Sequence, residues 1–131
     1  TNEIPKGNEY ILFIDDEEAL VKLGSSLLKR LGYTVETKTD PSEALVLFQS
    51  NPSRFDLIIT DMTMPHLMGD QLIKKILKTH PEMPIILCTG FSNKIDGEKA
   101  IELGACCYLE KPLDKNQLAV SVRKALDGCV H

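Results

Sequence analysis

The chain has 131 residues, 43% of them apolar and 26% charged, with a formal net charge of −4. That is enough apolar material to bury a core at the usual size of one domain, so neither a disordered chain nor a second domain is expected. The acidic balance speaks against non-specific attachment to nucleic acid or anionic membrane, and no apolar run approaches the roughly 20 residues that cross a bilayer.

Residues 1–9 carry Pro5 and Gly7 among polar side chains and read as a linker or a domain boundary. The start has no signal-peptide pattern, which makes the cytoplasm the expected location. Tyr10-Ile11-Leu12-Phe13-Ile14 is almost wholly apolar, as suits a strand covered on both faces. It runs into Asp15-Asp16-Glu17-Glu18. Leu20, Leu23, Leu27, Leu28 and Leu31 then recur at helical spacing until Gly32.

Tyr33 to Lys38 is more polar and predicts an edge strand. Asp40-Pro41-Ser42-Glu43 supplies an N-cap, a proline at the first helical position and an acid at the third, opening a helix through Phe48. Asp56 to Asp61 predicts a buried strand that ends in a carboxylate, followed by a loop from Met62 to Met68. Gly69 and Asp70 open a third helix, which His80-Pro81 closes. Pro84 to Cys88 predicts a strand ending in Thr89-Gly90, and a helix follows over about residues 96–103. Ala105 to Leu109 predicts the last strand, ending in Glu110-Lys111-Pro112. Asp114 caps a final helix that stops at Gly128, leaving residues 129–131 as a tail.

Strand and helix thus alternate five times. That pattern specifies an α/β fold, a parallel sheet with helices on both faces and right-handed crossovers. The domain spans residues 10–128. The four cysteines include no Cys-x-x-Cys pair, and the adjacent Cys106 and Cys107 cannot easily bond to each other, so reduced, partly buried thiols are expected. His66, His80 and His131 are scattered, and none reads as a phosphoacceptor.

Parallel strands point the same way, so their C-terminal tips share one edge, where open α/β sheets bind ligands. Four tips carry a chemical group: Asp15 and Asp16, Asp61, Thr89 and Lys111. Clustered carboxylates resist joint ionisation, and a hard divalent cation with oxygen ligands relieves them. Asp16 and Asp61 are the expected direct ligands of magnesium, or of manganese in its place, with Asp15 acting through a bound water. Asp61 then serves as a nucleophile toward phosphorus. The metal, the Lys111 ammonium and the Thr89 hydroxyl each take one equatorial oxygen of the transferring group.

These residues resemble the receiver domains of two-component response regulators and hybrid histidine kinases. The likeness rests on Asp15-Asp16-Glu17, on Asp61-Met-Thr-Met64-Pro65 with Gly69, on Thr89-Gly90 and on Tyr108-x-x-Lys111-Pro112. It implies a flavodoxin-like (βα)5 fold with strand order 2-1-3-4-5. It implies a phosphorelay in which Asp61 takes phosphate from a histidine kinase or a histidine phosphotransfer protein. The Thr63 carbonyl would complete the metal site, and Thr89 and Tyr108 would form a switch. The surface of the fourth helix, fifth strand and fifth helix would then change partners, a second copy of the chain among them. The Asp61 loop, the linker-like start and the lack of an output domain favour the receiver of a hybrid sensor histidine kinase over a stand-alone receiver. Such a domain phosphorylates and dephosphorylates itself without containing a kinase catalytic domain.

Phe91, two residues past Thr89, has no assigned part. Two rivals carry different chemistry. A haloacid-dehalogenase-like phosphohydrolase shares the Asp, Ser/Thr and Lys set, but its usual second Asp is Thr63 here. A receiver-fold binding module without phosphorylation would not need the complete set.

Overall fold

Five parallel strands form one sheet in the order β2-β1-β3-β4-β5. The computed structural model describes residues 4–62, 69–90 and 94–128, with the backbone alone at 94–97 and 100. The strands are β1 (Tyr10–Ile14), β2 (Thr34–Lys38), β3 (Leu57–Asp61), β4 (Ile85–Thr89) and β5 (Cys107–Glu110). The helices are α1 (Glu18–Arg30), α2 (Pro41–Ser50), α3 (Gly69–Thr79), α4 (Lys94–Leu103) and α5 (Lys115–Leu126), with a 3-10 turn at Pro52–Arg54. The parallel sheet expected from the alternation is observed, and its strand order is the flavodoxin-like one that the resemblance implies, with β2 at an edge.

The three central strands are apolar on both faces because helices cover both. Ile11, Phe13, Leu57, Ile59, Ile86 and Cys88 point to one side, under α1 and α5. Leu12, Ile14, Ile58, Ile85 and Leu87 point to the other, under α2 and α3. The alternation of a strand thus feeds two cores at once. Burying one such aliphatic side chain stabilises by about 1.5–3 kcal/mol.

Local chemistry sets the ends. Asp40 accepts hydrogen bonds from the Ser42 and Glu43 N–H groups at 2.8 and 3.3 Å, and Asp114 accepts from Gln117 N–H at 3.0 Å. Gly32, at φ +102°, ends α1: its N–H donates to the Lys29 carbonyl at 3.0 Å, and Tyr33 N–H donates to Leu28 at 3.2 Å. Only a left-handed residue closes that double turn cheaply.

Three expectations shift. The buried face of α1 holds Leu28 and Leu31 of the expected leucine stripe, with Leu27 packed against the core, but it is completed by Val21 and Gly24, while Leu23 is 43% exposed. Gly24, having no side chain, lets the Phe13 ring lie against the helix at a position where a Cβ would collide with it. β4 and β5 each end one residue later than expected, which carries Thr89 and Glu110 into the ladder as partners. Cys106 is disulfide-bonded, whereas Cys88 and Cys107 are free thiols. Reduced thiols, expected for all four, are thus found at Cys88 and Cys107 but not at Cys106, since adjacency bars only a bond between Cys106 and Cys107. Among the described residues, no helix is long and apolar enough to cross a membrane.

Candidate functional site

β1 delivers Asp15 and Asp16, and β3, paired beside it, delivers Asp61 as its last residue. Both strands stop at the same edge, so residues 45 positions apart in sequence become neighbours. Asp15, Asp16 and Asp61 each offer a carboxylate oxygen within 4.8 Å of the others. Asp15 and Asp61 are 2% and 5% exposed, while Asp16 faces solvent.

Lys111 reaches this group from the end of β5, two strands away from Asp61. Its Nζ is 2.9 Å from Asp61 Oδ1 and 3.0 Å from Asp15 Oδ2. Its backbone is held too: Lys111 N–H donates to the Thr89 carbonyl at 2.9 Å. Asp15 uses its other oxygen, Oδ1, to accept the Glu17 N–H at 2.9 Å. Both Asp15 oxygens are therefore engaged by the protein, which leaves Asp16 and Asp61 as the acids freer to take a ligand.

The electrostatics follow from this crowding. Burial pushes the Asp61 carboxyl up from 3.8 to about 6; the hydrogen bond from Lys111 pulls it down, and the Asp15 and Asp16 charges push it up again. Burial works against the Lys111 ammonium, but the hydrogen bonds to Asp61 and Asp15 outweigh it and hold its pKa above the ordinary lysine value. Asp61 thus sits close to its titration point while its cation stays charged. A buried acid so placed, beside a second buried acid and an exposed one, is a set that a hard divalent cation would fit.

Thr89 is wholly buried at the tip of β4, and its hydroxyl donates to the Leu109 carbonyl at 3.5 Å, near the limit of a hydrogen bond. Tyr108, the residue before Leu109, is half-buried against the α2/α3-side core. Thr63, Phe91, His66 and His131 lie outside the described residues. Cys88 pairs with Asp61 across the ladder, and burial pushes its thiol up to about 12, so it is a neutral wall beside the acids. Sequence reasoning did not anticipate the Lys111–Asp15 contact or the Glu17 amide, because neither a shared ammonium nor a backbone donor leaves a mark in residue types.

Residues 11–123 match the profile of the response regulator receiver domain. The chain is 34% identical over 118 residues to the transcriptional regulatory protein GlrR of Escherichia coli, covering 90% of this chain and 26% of that protein. It is 28% identical over 121 residues to the sensor kinase CckA of Brucella abortus, covering 92% of this chain and 13% of that one. It thus spans about a quarter of the first relative and about an eighth of the second. Among solved structures, a response regulator receiver domain protein from Clostridium thermocellum superposes with a TM-score of 0.87 at 34% identity, over 91% of this chain and 94% of that one.

Proposed function

This chain belongs to the response regulator receiver domain family of two-component systems, and from that premise we propose that Asp61 accepts a phosphoryl group from a phosphohistidine. The donor is a histidine kinase or a histidine phosphotransfer protein. The observation that carries the reading is the shared ammonium: Lys111 bridges Asp61 and Asp15 at 2.9 and 3.0 Å, with the Asp16 carboxylate beside them.

In the step proposed, an Asp61 carboxylate oxygen forms a bond to phosphorus while the bond from phosphorus to the donor imidazole nitrogen breaks. The electron pair leaves with the imidazole, and the product is an aspartyl phosphate. Lys111 turns part of its charge from the carboxylates to a phosphoryl oxygen. The Thr89 hydroxyl leaves the Leu109 carbonyl for another oxygen, and the space it vacates lets the Tyr108 ring move inward. Asp16, Asp61 and the Thr63 carbonyl would hold Mg2+, with Asp15 reaching it through water. Bound there, the ion supplies charge neutralisation and a fixed position for one phosphoryl oxygen.

Family membership counts against the phosphohydrolase alternative. The same site serves a receiver within a hybrid sensor kinase, the context we favour, and one within a transcriptional regulator. Intact mass after incubation with acetyl phosphate and magnesium tests the reading. A gain of one phosphoryl group is expected, lost without metal and lost in Asp61→Asn. An unmodified wild-type chain, or equal labelling of Asp61→Asn, would overturn it.

A further inference from the structure

At the sheet edge opposite the acids, Arg123 of α5 gathers the chain before β1 and the turn after α1. Its Nη1 and Nη2 donate to Glu9 Oε1 and Oε2 at 3.2 and 2.7 Å. Its Nε and Nη2 donate to Asp127 Oδ1 at 3.0 and 2.8 Å, which sets the guanidinium against the end of its own helix. Nη1 also reaches the Lys6 carbonyl at 3.2 Å and the Tyr33 hydroxyl at 3.4 Å. Two-point pairing of guanidinium and carboxylate is the strong form of ion pair. Here both side chains are about three-quarters covered, at 25% and 26% exposure.

The backbone is built to receive this segment. Gly7 N–H donates to the Leu31 carbonyl at 3.1 Å, and the Glu9 carbonyl accepts Thr34 N–H at 3.0 Å. A Cβ on Gly32 would collide with the Gly7 carbonyl oxygen. A Cβ on Gly7 would run into the Tyr33 ring and lie 2.5 Å from both Arg123 Nη1 and Glu9 Oε1. Two glycines far apart in sequence therefore make one slot.

We propose that residues 4–9 are a strap, buckled by Arg123, that fixes the C-terminal end of α5 and makes this helix the stationary wall of the groove beside Tyr108. That groove is lined by Tyr108, Asn116, Gln117 and Val120, and Val120 is 56% exposed. Val120 and Arg123 are less than one turn apart on the same helix, and a helix moves as a unit over that distance. Holding Arg123 to the strap therefore holds the wall. The link works in both directions: a partner that shifts α5 pulls on the strap, and displacing the strap reshapes the groove. None of this depends on chemistry at Asp61.

Amide hydrogen exchange on the full chain tests the strap, using Glu9→Gln, Gly7→Ala and Arg123→Met. Exchange over the last two turns of α5 and at Tyr33 and Thr34 should quicken at least about tenfold in each variant, as expected for loss of a charge-assisted contact. The double variant Glu9→Gln with Arg123→Met should be no faster than Arg123→Met alone, because both lose one buckle. The Val120 methyl and Tyr108 ring resonances should shift in Glu9→Gln, while labelling of Asp61 by acetyl phosphate stays within a few-fold of wild type. Unchanged α5 exchange in Glu9→Gln and Gly7→Ala overturns the strap. So does unchanged groove resonance, or a speed-up spread evenly over the central strands, which would report global loosening.

Discussion

Lys111 Nζ lies 2.9 Å from Asp61 Oδ1 although their strands, β5 and β3, are separated by β4. The ammonium crosses over the tip of β4, and Thr89 holds its backbone from below through the 2.9 Å bond from Lys111 N–H. One cation thus answers two buried acids from across the sheet. Lys111→Met keeps the apolar stem and removes the charge. It should slow labelling of Asp61 by acetyl phosphate by about 100-fold, the usual cost of deleting one preorganised charge-stabilising donor. Single-turnover rates read by intact mass check this; a rate within a few-fold of wild type takes Lys111 out of the chemistry.

Without metal, the Asp61 charge strains the fold. Its carboxyl titrates at about 6 in the folded chain against an ordinary value of 3.8. A raised carboxyl favours the folded state while it is neutral. That contribution is complete below its unfolded value and is lost as pH rises through about 6. Asp61→Asn, neutral at every pH, should therefore be more stable than wild type at pH 8 in chelator, by about 1–3 kcal/mol. The gap should close toward pH 5. Urea midpoints at the two pH values measure it, and a gap that is absent at pH 8 or grows on acidification contradicts the charge argument.

The features legible in advance were those written in residue type and order. Alternating apolar runs and helical spacings gave the five-stranded parallel sheet, and parallelism alone then brought Asp15, Asp16, Asp61 and Lys111 to one edge. The features that were not legible depend on backbone groups or on close approach. The Glu17 amide that orients Asp15 has no side-chain signature. Gly24 looks like a weak point in a helix until the Phe13 ring is seen lying against it. Arg123, Glu9 and Gly7 are spread over the whole length of the chain, and no periodicity links them, so residues 1–9 looked like linker.

The Thr89 hydroxyl holds the Leu109 carbonyl loosely, at 3.5 Å. A bond this long contributes little, so Thr89→Ala should change metal-free stability by less than about 1 kcal/mol. Its effect should appear only after phosphorylation. In wild type, acetyl phosphate with magnesium should shift the Tyr108 ring resonances; in Thr89→Ala the chain should still be labelled, with that shift largely gone. Equal Tyr108 shifts in the two proteins would separate the threonine from the tyrosine.

Gly24 offers a test of packing alone. In a helix interior, replacing glycine with alanine ordinarily stabilises by about 0.5–1 kcal/mol, because alanine loses less backbone freedom on folding. Here the sign should reverse. A Cβ at Gly24 would lie 2.6 Å from Phe13 Cε2 and 3.0 Å from Cε1, with Cζ closer still. Phe13 is 1% exposed and belongs to the same core cluster as Ile11, Ile59 and Leu28, so a Cβ at Gly24 would press on a buried ring. Overpacking of this kind costs about 1–3 kcal/mol. Gly24→Ala should therefore lower the urea midpoint. The companion Gly24→Ala with Phe13→Leu, which removes most of the ring, should recover part of the loss. A stabilised Gly24→Ala would show that helix propensity outweighs the ring contact.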